Sequence, residues 1–490
     1  MVEESIKVLL YAVRARVVLK YCGQLAVVLA VLTLLPLLVA LGEANWVLVV
    51  RYSVLCTLLL VGGALFARLP APQNIRVNEA LTVTALAFIV PALLMAWPMM
   101  AAKLSLVDAF FEAVSGVTTT GLSTLSKVSE HPASFLFLRA WMQWYGGLGF
   151  IVLSVALLLG HHVAAKRLIS PVDSSESLMV TARTHARRTL IVYVCLTLFG
   201  FALVWPLCAN GFDAILHVLS SVSTGGFSNF DNSLAGLPSH AAAIAVITVS
   251  FLSAISLQLY WKSFHAGWRD GLRNLLTDEE LRMLVLMSLI IGGGLSGLAW
   301  LHGSVAPWYQ GFMLGISAQT TTGFATQAVS AMDPASKIVM IIAMLVGGSV
   351  GSSAGGFKIL RLLILLRVIQ LVLRRTAMPQ HAVATLSLGE QKLEADDINK
   401  VLLLLLLYII TVVLSWLPFV VAGYDPLNSL FEVVSACGTV GLSSGITRPE
   451  LETFLKAILC FDMLAGRVEI IALLVLLYPR NWFGRREVTQ

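Results

Sequence analysis

The sequence predicts an all-α polytopic membrane protein. It comprises an N-terminal two-helix hairpin and four repeats of span, re-entrant half-helix and span, in pseudo-fourfold array about one axis. Three observations predict this. Of 490 residues, 58% are hydrophobic and only 12% charged, against about 45–50% and about 25% in a typical soluble domain, and the mean hydropathy is +0.86. Ten apolar runs are long enough to approach or exceed the roughly 20 residues a crossing helix needs. Four segments share one Ser/Thr/Gly pattern.

The runs lie near 25–42, 47–67, 78–100, 135–160, 189–209, 241–261, 282–302, 336–373, 400–422 and 454–478. Ten crossings put both termini on one side, and positive charge collects on the cytoplasmic side of membrane proteins. With the termini inside, 23 of the 33 Lys and Arg lie in inner segments and 7 in outer ones; Lys358, Arg361 and Arg467 fall within apolar runs. The N- and C-termini are therefore expected in the cytoplasm. This distribution also accounts for the net charge of +6. The first helix is expected to stay as an anchor, because Lys7, Arg14, Arg16 and Lys20 precede a long apolar run with no small-residue cleavage pattern. The six cysteines form no CxxC pair, so neither a disulfide framework nor a zinc site is expected.

The repeated segments are Ser115-Gly-Val-Thr-Thr-Thr-Gly121-Leu-Ser123, Ser220-Ser-Val-Ser-Thr-Gly-Gly226-Phe-Ser228, Ser317-Ala-Gln-Thr-Thr-Thr-Gly323-Phe-Ala325 and Ser435-Ala-Cys-Gly-Thr-Val-Gly441-Leu-Ser443. Their final glycines are spaced by 105, 97 and 118 residues. One column is always Thr: Thr119, Thr224, Thr321 and Thr439. Each segment follows an apolar stretch too short to cross a bilayer: Ala109–Val114, Ala214–Leu219, Phe312–Ile316 and Leu430–Val434. Non-helical backbone survives at membrane depth only where protein or a water-filled cavity surrounds it. Four such loops can converge on a single pore. The expected organisation is a hairpin over 1–70, then repeats over 71–165, 166–270, 271–376 and 377–490.

Such loops suit a monovalent cation. Glycine lets carbonyls turn inward, and rings of carbonyl oxygens replace the hydration shell of potassium. No Asp, Glu, Lys or Arg occurs in the four loops, whereas charged rings mark other cation and anion pores. The half-helices would aim their partly negative C-termini at the centre. The candidate filter is Thr118, Thr119, Thr120 and Gly121; Ser223, Thr224, Gly225 and Gly226; Thr320, Thr321, Thr322 and Gly323; and Gly438, Thr439, Val440 and Gly441. Glu112 and Glu432, just upstream, are expected to anchor their half-helices or face the outer mouth rather than bind the ion.

Two features break the fourfold pattern. The run 336–373 is too long for one span and too short for two. Its middle, Gly347-Gly-Ser-Val-Gly-Ser-Ser-Ala-Gly-Gly356, has five Gly and three Ser; Gly in a helix costs about 1 kcal/mol relative to Ala. A broken helix with an intramembrane loop beneath the filter is expected; close helix packing by small residues is the alternative. The loop candidates are Gly347, Gly348, Ser349, Gly351, Ser352, Ser353, Gly355 and Gly356, with Lys358 just beyond. Arg467 sits within the last run, where a charge costs roughly 2.5–3.5 kcal/mol. Counting 26 residues from each filter glycine reaches Gly147, Leu252, Ser349 and Arg467, so Arg467 is expected at the loop's depth. It reads either as an electrostatic barrier on the axis or as half of a structural ion pair away from it.

These four filters, the broken third-repeat helix and Gly466-Arg467-Val-Glu469, all in order, resemble the Trk/Ktr/HKT superfamily of potassium transporters. The N-terminal hairpin and the length look like its bacterial Trk membrane subunit (TrkH/TrkG type). The resemblance implies potassium uptake across the bacterial inner membrane, with the four glycines supporting selectivity and the loop over 347–356 as the gate. It also implies a homodimer and a cytosolic nucleotide-binding regulatory subunit of the TrkA type. Departures are Ser223-Thr-Gly-Gly226 and Gly438-Thr-Val-Gly441, which bear on selectivity. Serine at the first filter glycine accompanies sodium permeation in that family, so Gly121 argues against a sodium- or mixed-cation-permeable relative. Proton- or sodium-coupled symport stays open. An enzyme is not expected, since the nine histidines do not cluster with carboxylates. No cofactor is expected in the chain, potassium being its substrate.

Overall fold

The computed structural model describes residues 12–70, 75–158, 178–377, 387–388, 391–393 and 395–483. It is helical apart from a two-residue antiparallel pairing, β1 (Ser387–Leu388) with β2 (Gln391–Lys392). The hairpin is α1 (Ala15–Gly42) and α2 (Trp46–Ala67). Asn45 caps α2, its side chain accepting from the Leu48 amide at 3.4 Å. The first repeat is α3 (Val77–Met99), the half-helix α4 (Leu106–Val117) and α5 (Ala133–Leu158). The second is α6 (Leu178–Val204), half-helix α7 (Gly211–Val222), α8 (His240–Ser253) and α9 (Leu257–His265), with α10 (Trp268–Thr277) after it. The third is α11 (Glu279–Leu301), half-helix α12 (Pro307–Gln319), α13 (Pro334–Leu345) and α14 (Ile359–Arg375). The fourth is α15 (Ala395–Val421), half-helix α16 (Pro426–Cys437), α17 (Thr453–Arg467) and α18 (Glu469–Leu477), with α19 (Pro479–Phe483) at its end.

Each half-helix has 12 or 13 residues. That is about 18–20 Å at 1.5 Å per residue, short of a hydrocarbon core about 30 Å thick. Ser105, Asn210 and Asp425 cap three of them by accepting from the third amide onward, and Pro sits at the start of α12 and α16. Proline is tolerated there because its missing N–H is unneeded. The half-helices are buried on nearly every face, whereas α1, α2 and α15 turn Leu38, Leu58, Leu65 and Leu414 outward, as a lipid-facing surface requires.

Six described helices are individually long and apolar enough to cross a membrane, or seven if α8 and α9 form one bent span. Two runs expected as single spans are broken. The run 241–261 bends by 82° between α8 and α9. The carbonyls of Ser253 and Ala254, freed by the bend, accept from the amides of Ser353 and Ser349 instead of continuing the helix. The run 454–478 breaks at Val468, where Glu469 takes a left-handed φ of 56°. Arg467 is accordingly the last residue of α17 rather than a mid-span residue. The expected break in 336–373 falls between α13 and α14. The break in repeat 3 touches those in repeats 2 and 4, through Ser349 and Ser353 on one side and Arg467 on the other. The inner loop expected near 161–188 lies largely outside the described residues, as do the expected repeat boundaries at 70/71 and 165/166.

Candidate functional site: a ring of four Thr/Gly loops above an intramembrane loop

Each half-helix ends the same way. The amides of Thr120, Gly225, Thr322 and Val440 reach back to the carbonyls of Ser115, Ser220, Ser317 and Ser435 at 2.8–2.9 Å. This is the Schellman closure, which needs a left-handed residue just past the helix and normally uses Gly. Here the residue is the invariant Thr column: φ is 56° at Thr119, 52° at Thr224, 54° at Thr321 and 50° at Thr439. A β-branched residue in that region is strained. Four repetitions in one chain mark a conformation imposed by the surrounding structure.

Two residues on, Gly121, Gly226, Gly323 and Gly441 have φ of 95°, 75°, 84° and 90°. A Cβ at Gly121 would overlap the carbonyl oxygen of Gly225. At Gly226 it would overlap that of Thr322, at Gly323 that of Val440, and at Gly441 that of Thr120. The four loops thus close a ring in chain order, each glycine seated on the carbonyl just before the next repeat's glycine. The column is glycine both for its φ and because no side chain fits.

The ring is braced from behind. Gln143 donates to the Gly225 carbonyl at 2.5 Å and accepts from the Phe227 amide at 3.1 Å. The hydroxyls of Ser115 and Ser435 accept from the amides of Gly121 and Gly441 at 3.0 and 3.1 Å. Thr118 and Thr120 share a hydroxyl contact of 2.8 Å, as do Thr320 and Thr322. Glu112 and Glu432 are fully buried. Glu112 accepts from Arg139 at 3.1 Å, from Ser123 at 2.6 Å and from the Thr124 amide at 2.8 Å. Arg139 also lies 3.9 Å from the Phe227 ring centroid. Glu432 accepts from Ser443 and from the Ile446 and Thr447 amides. Both carboxylates bond the chain leaving the ring to their own half-helices. The Arg139 partner was not foreseen, being separated by 27 residues.

The glycine-rich segment lies against the Thr column. The Gly355 amide donates to the Thr321 hydroxyl at 2.7 Å. A Cβ on Gly355 would overlap the Thr439 hydroxyl. Ser353 donates through its hydroxyl to the Ser253 carbonyl at 3.0 Å, and Gln319 donates to the Val346 carbonyl at 2.8 Å. The Val350 amide donates to Glu280 at 2.7 Å. Gly351 and Gly356 take φ of 76° and 66°. Gly347 and Gly348 approach Gly355 and the Ala254 carbonyl too closely for a side chain, while Ser349 and Ser352 are buried and joined through the Ser352 hydroxyl and the Ser349 carbonyl. Lys358 is buried and donates to the Ala354 carbonyl. A cavity beside the loop is lined by Phe357, Tyr408, Cys437 and Glu469, among others.

Arg467 is buried and sits at that depth. It donates to the carbonyls of Ser353 at 3.0 Å, Gly146 at 3.2 Å and Gly147 at 3.4 Å. Two of the four positions reached by the count of 26, Gly147 and Arg467, are therefore in direct contact. Glu469 pairs instead with Arg361.

The chain that carries this ring matches a known family. A family model described as TrkH, cation transport protein, matches residues 48–293 and 305–482. The chain belongs to the TrkH family of cation transport proteins. It is 30% identical over 491 residues to the Trk system potassium uptake protein TrkH of Halomonas elongata, covering 95% of this chain and 99% of that one. It is 28% identical over 486 residues to the Trk system potassium uptake protein TrkG of Escherichia coli, covering 95% and 98%. Its structure superposes on the crystal structure of the potassium transporter TrkH from Vibrio parahaemolyticus with a TM-score of 0.84 and 26% identity, over 96% of this chain and 100% of that one. This member of the TrkH family is thus a predominantly helical, multi-pass membrane transport protein.

Proposed function

We propose that this chain is a potassium uptake permease of the bacterial inner membrane, with one pore per chain. The observation that carries this reading is the closed ring in which each loop glycine sits on the next repeat's carbonyl. Carbonyls in such a ring match a dehydrated monovalent cation, and no charged side chain stands among the loop residues. The names of the relatives support potassium as the cation. Filter residues are those of the four loops, Thr118 to Gly121, Ser223 to Gly226, Thr320 to Gly323 and Gly438 to Gly441. The segment from Gly347 to Gly356 blocks the path below the Thr column when seated, and Arg467 holds it there while placing a cation beside the path. The N- and C-termini face the cytoplasm, in keeping with the bias of Lys and Arg. A homodimer and a cytosolic nucleotide-binding subunit of the TrkA type complete the system, and the chain needs no cofactor of its own.

Uptake is driven at least partly by the membrane potential, worth about 2.3 kcal/mol per charge per 100 mV. The test is growth of potassium-uptake-deficient cells in low potassium, with and without the nucleotide-binding subunit. Rescue is expected in its presence. Rescue by sodium-permeable behaviour, or none with the protein in the membrane, sinks the reading.

A further inference from the structure

Aligning the repeats on their ring glycines places Glu112, His217, Leu314 and Glu432 nine residues before them, and Ser123, Ser228, Ala325 and Ser443 two residues after. In three repeats these positions bond to each other. Ser123 donates to Glu112 at 2.6 Å and Ser443 to Glu432 at 2.5 Å, while the Ser228 hydroxyl lies 3.1 Å from His217 Nε2. The same three hydroxyls accept from the amides two residues on, Leu125, Phe230 and Gly445, at 3.0–3.2 Å. Each serine therefore ties the chain leaving the ring to its own half-helix.

The third repeat differs at both positions together. Leu314 and Ala325 cannot make this bond, and a cavity of about 400 Å³ reaches Leu314. Its exit strand is held from the neighbouring repeat instead. The Ala325 amide donates to the Ser233 hydroxyl at 3.1 Å, and its carbonyl accepts from the Leu234 amide at 3.0 Å. Ser233 is presented by a left-handed φ of 52°.

We infer that Ser123, Ser228 and Ser443, together with Ser233 acting across repeats on Ala325, are positioning residues that set the ring's cation selectivity. None of these hydroxyls belongs to the ring segments, so each acts through backbone. Selectivity by carbonyls depends on oxygen spacing and on how far the oxygens can follow a smaller ion inward. An exit strand fixed two residues past the glycine limits that movement. The third wall, tied to the second repeat's loop, makes the spacing of two repeats depend on one contact. This inference rests on the filter reading above.

The test is a rubidium/sodium flux competition in proteoliposomes, with thermal stability read on the same preparations. Ser123→Ala, Ser228→Ala, Ser443→Ala and Ser233→Ala are each expected to lower the rubidium-over-sodium ratio at least about fivefold, since each loses at least one hydrogen bond, while remaining folded. Ser126→Ala, at an exposed serine three residues past Ser123, is expected to leave the ratio unchanged. Glu432→Gln keeps an acceptor for Ser443 and is expected to retain most of the ratio. If the wild type itself shows no rubidium preference, the filter reading falls. If the wild type is selective and the four folded serine variants match it, the positioning role is overturned. A collapse of selectivity in Glu432→Gln with Ser443→Ala unaffected overturns it too, because charge would then act directly.

Discussion

The Arg467 guanidinium donates a 3.0 Å hydrogen bond to the carbonyl of Ser353, joining the end of α17 to the glycine-rich loop beneath the ring. The same side chain reaches the Gly146 and Gly147 carbonyls on α5. One cation thus spans repeats 1, 3 and 4 at the level where three helices are broken. The expected alternatives were an axial barrier and a structural pair. The contacts tie its charge to backbone carbonyls of two other repeats, which in the proposed reading makes Arg467 a latch.

Arg467→Ala removes both the latch and the charge, so flux without a regulatory partner is expected to rise several-fold over wild type. Arg467→Lys keeps a charge but loses the planar fork that reaches three carbonyls, and should fall between them. Hydrogen bonds to charged groups contribute about 1.5–3 kcal/mol each, so the melting temperature should drop in both. Flux equal to wild type in folded Arg467→Ala contradicts the latch.

Gly355→Ala tests the loop's seating without touching Arg467. The added Cβ overlaps the Thr439 hydroxyl and crowds the Gly438 carbonyl. The loop then cannot rest against the Thr column, and basal rubidium flux should increase in proteoliposomes. Unchanged or reduced flux with a folded protein favours small-residue packing over gating.

Gly121→Ser must adopt a φ of 95° and push against the Gly225 carbonyl. Strain of this kind costs on the order of 1–3 kcal/mol, enough to shift an ion preference about fivefold or more. The rubidium/sodium ratio should fall accordingly. A retained ratio removes Gly121 from the selective ring.

Arg139 and Glu112 form a buried ion pair. Breaking such a pair from one side costs about 3–5 kcal/mol, whereas replacing both is far milder. Arg139→Met should therefore sharply reduce folded yield, and Arg139→Met with Glu112→Gln should recover much of it. Size-exclusion profiles and thermal melts of the two variants decide this.

Asp231 clamps the loop after the first ring segment, accepting from the Val128 and Ser129 amides at 2.6 and 3.1 Å and from the Ser129 hydroxyl. The Ser129 hydroxyl and these amides hold its carboxyl below the usual carboxylate value. A depressed folded value means the clamp's contribution is present above the ordinary carboxylate range and is lost only as pH falls below it. Between pH 8 and about pH 5 the clamp stays engaged. The effect of Asp231→Asn on thermal stability should therefore be constant across that interval. An effect that vanishes by pH 5 contradicts it.

The Thr column and the glycine column were legible in the sequence because both are backbone demands, and a backbone demand restricts residue type at a fixed position. The break over 347–356 was legible for the same reason. The bends at Ser253–Leu257 and Val468 were not, because their composition suits a continuous helix. They are set by tertiary partners: the amides of Ser349 and Ser353, and Arg361 on Glu469. Arg467 was recognised as costly by its apolar surroundings, yet its carbonyl partners lie 114 and 320 or more residues away. The pairing of Glu112 with Ser123 and of Glu432 with Ser443 was within reach. Extending the repeat alignment nine residues upstream puts the two carboxylates in one column.

The most direct test of the central claim is anomalous diffraction from crystals of this protein soaked in rubidium or thallium. The account predicts a peak inside the ring, coordinated by the carbonyls of Thr120, Gly225, Thr322 and Val440. Uptake-competent protein whose only ordered monovalent ion lies elsewhere, with that ring unoccupied at saturating ion, would contradict it.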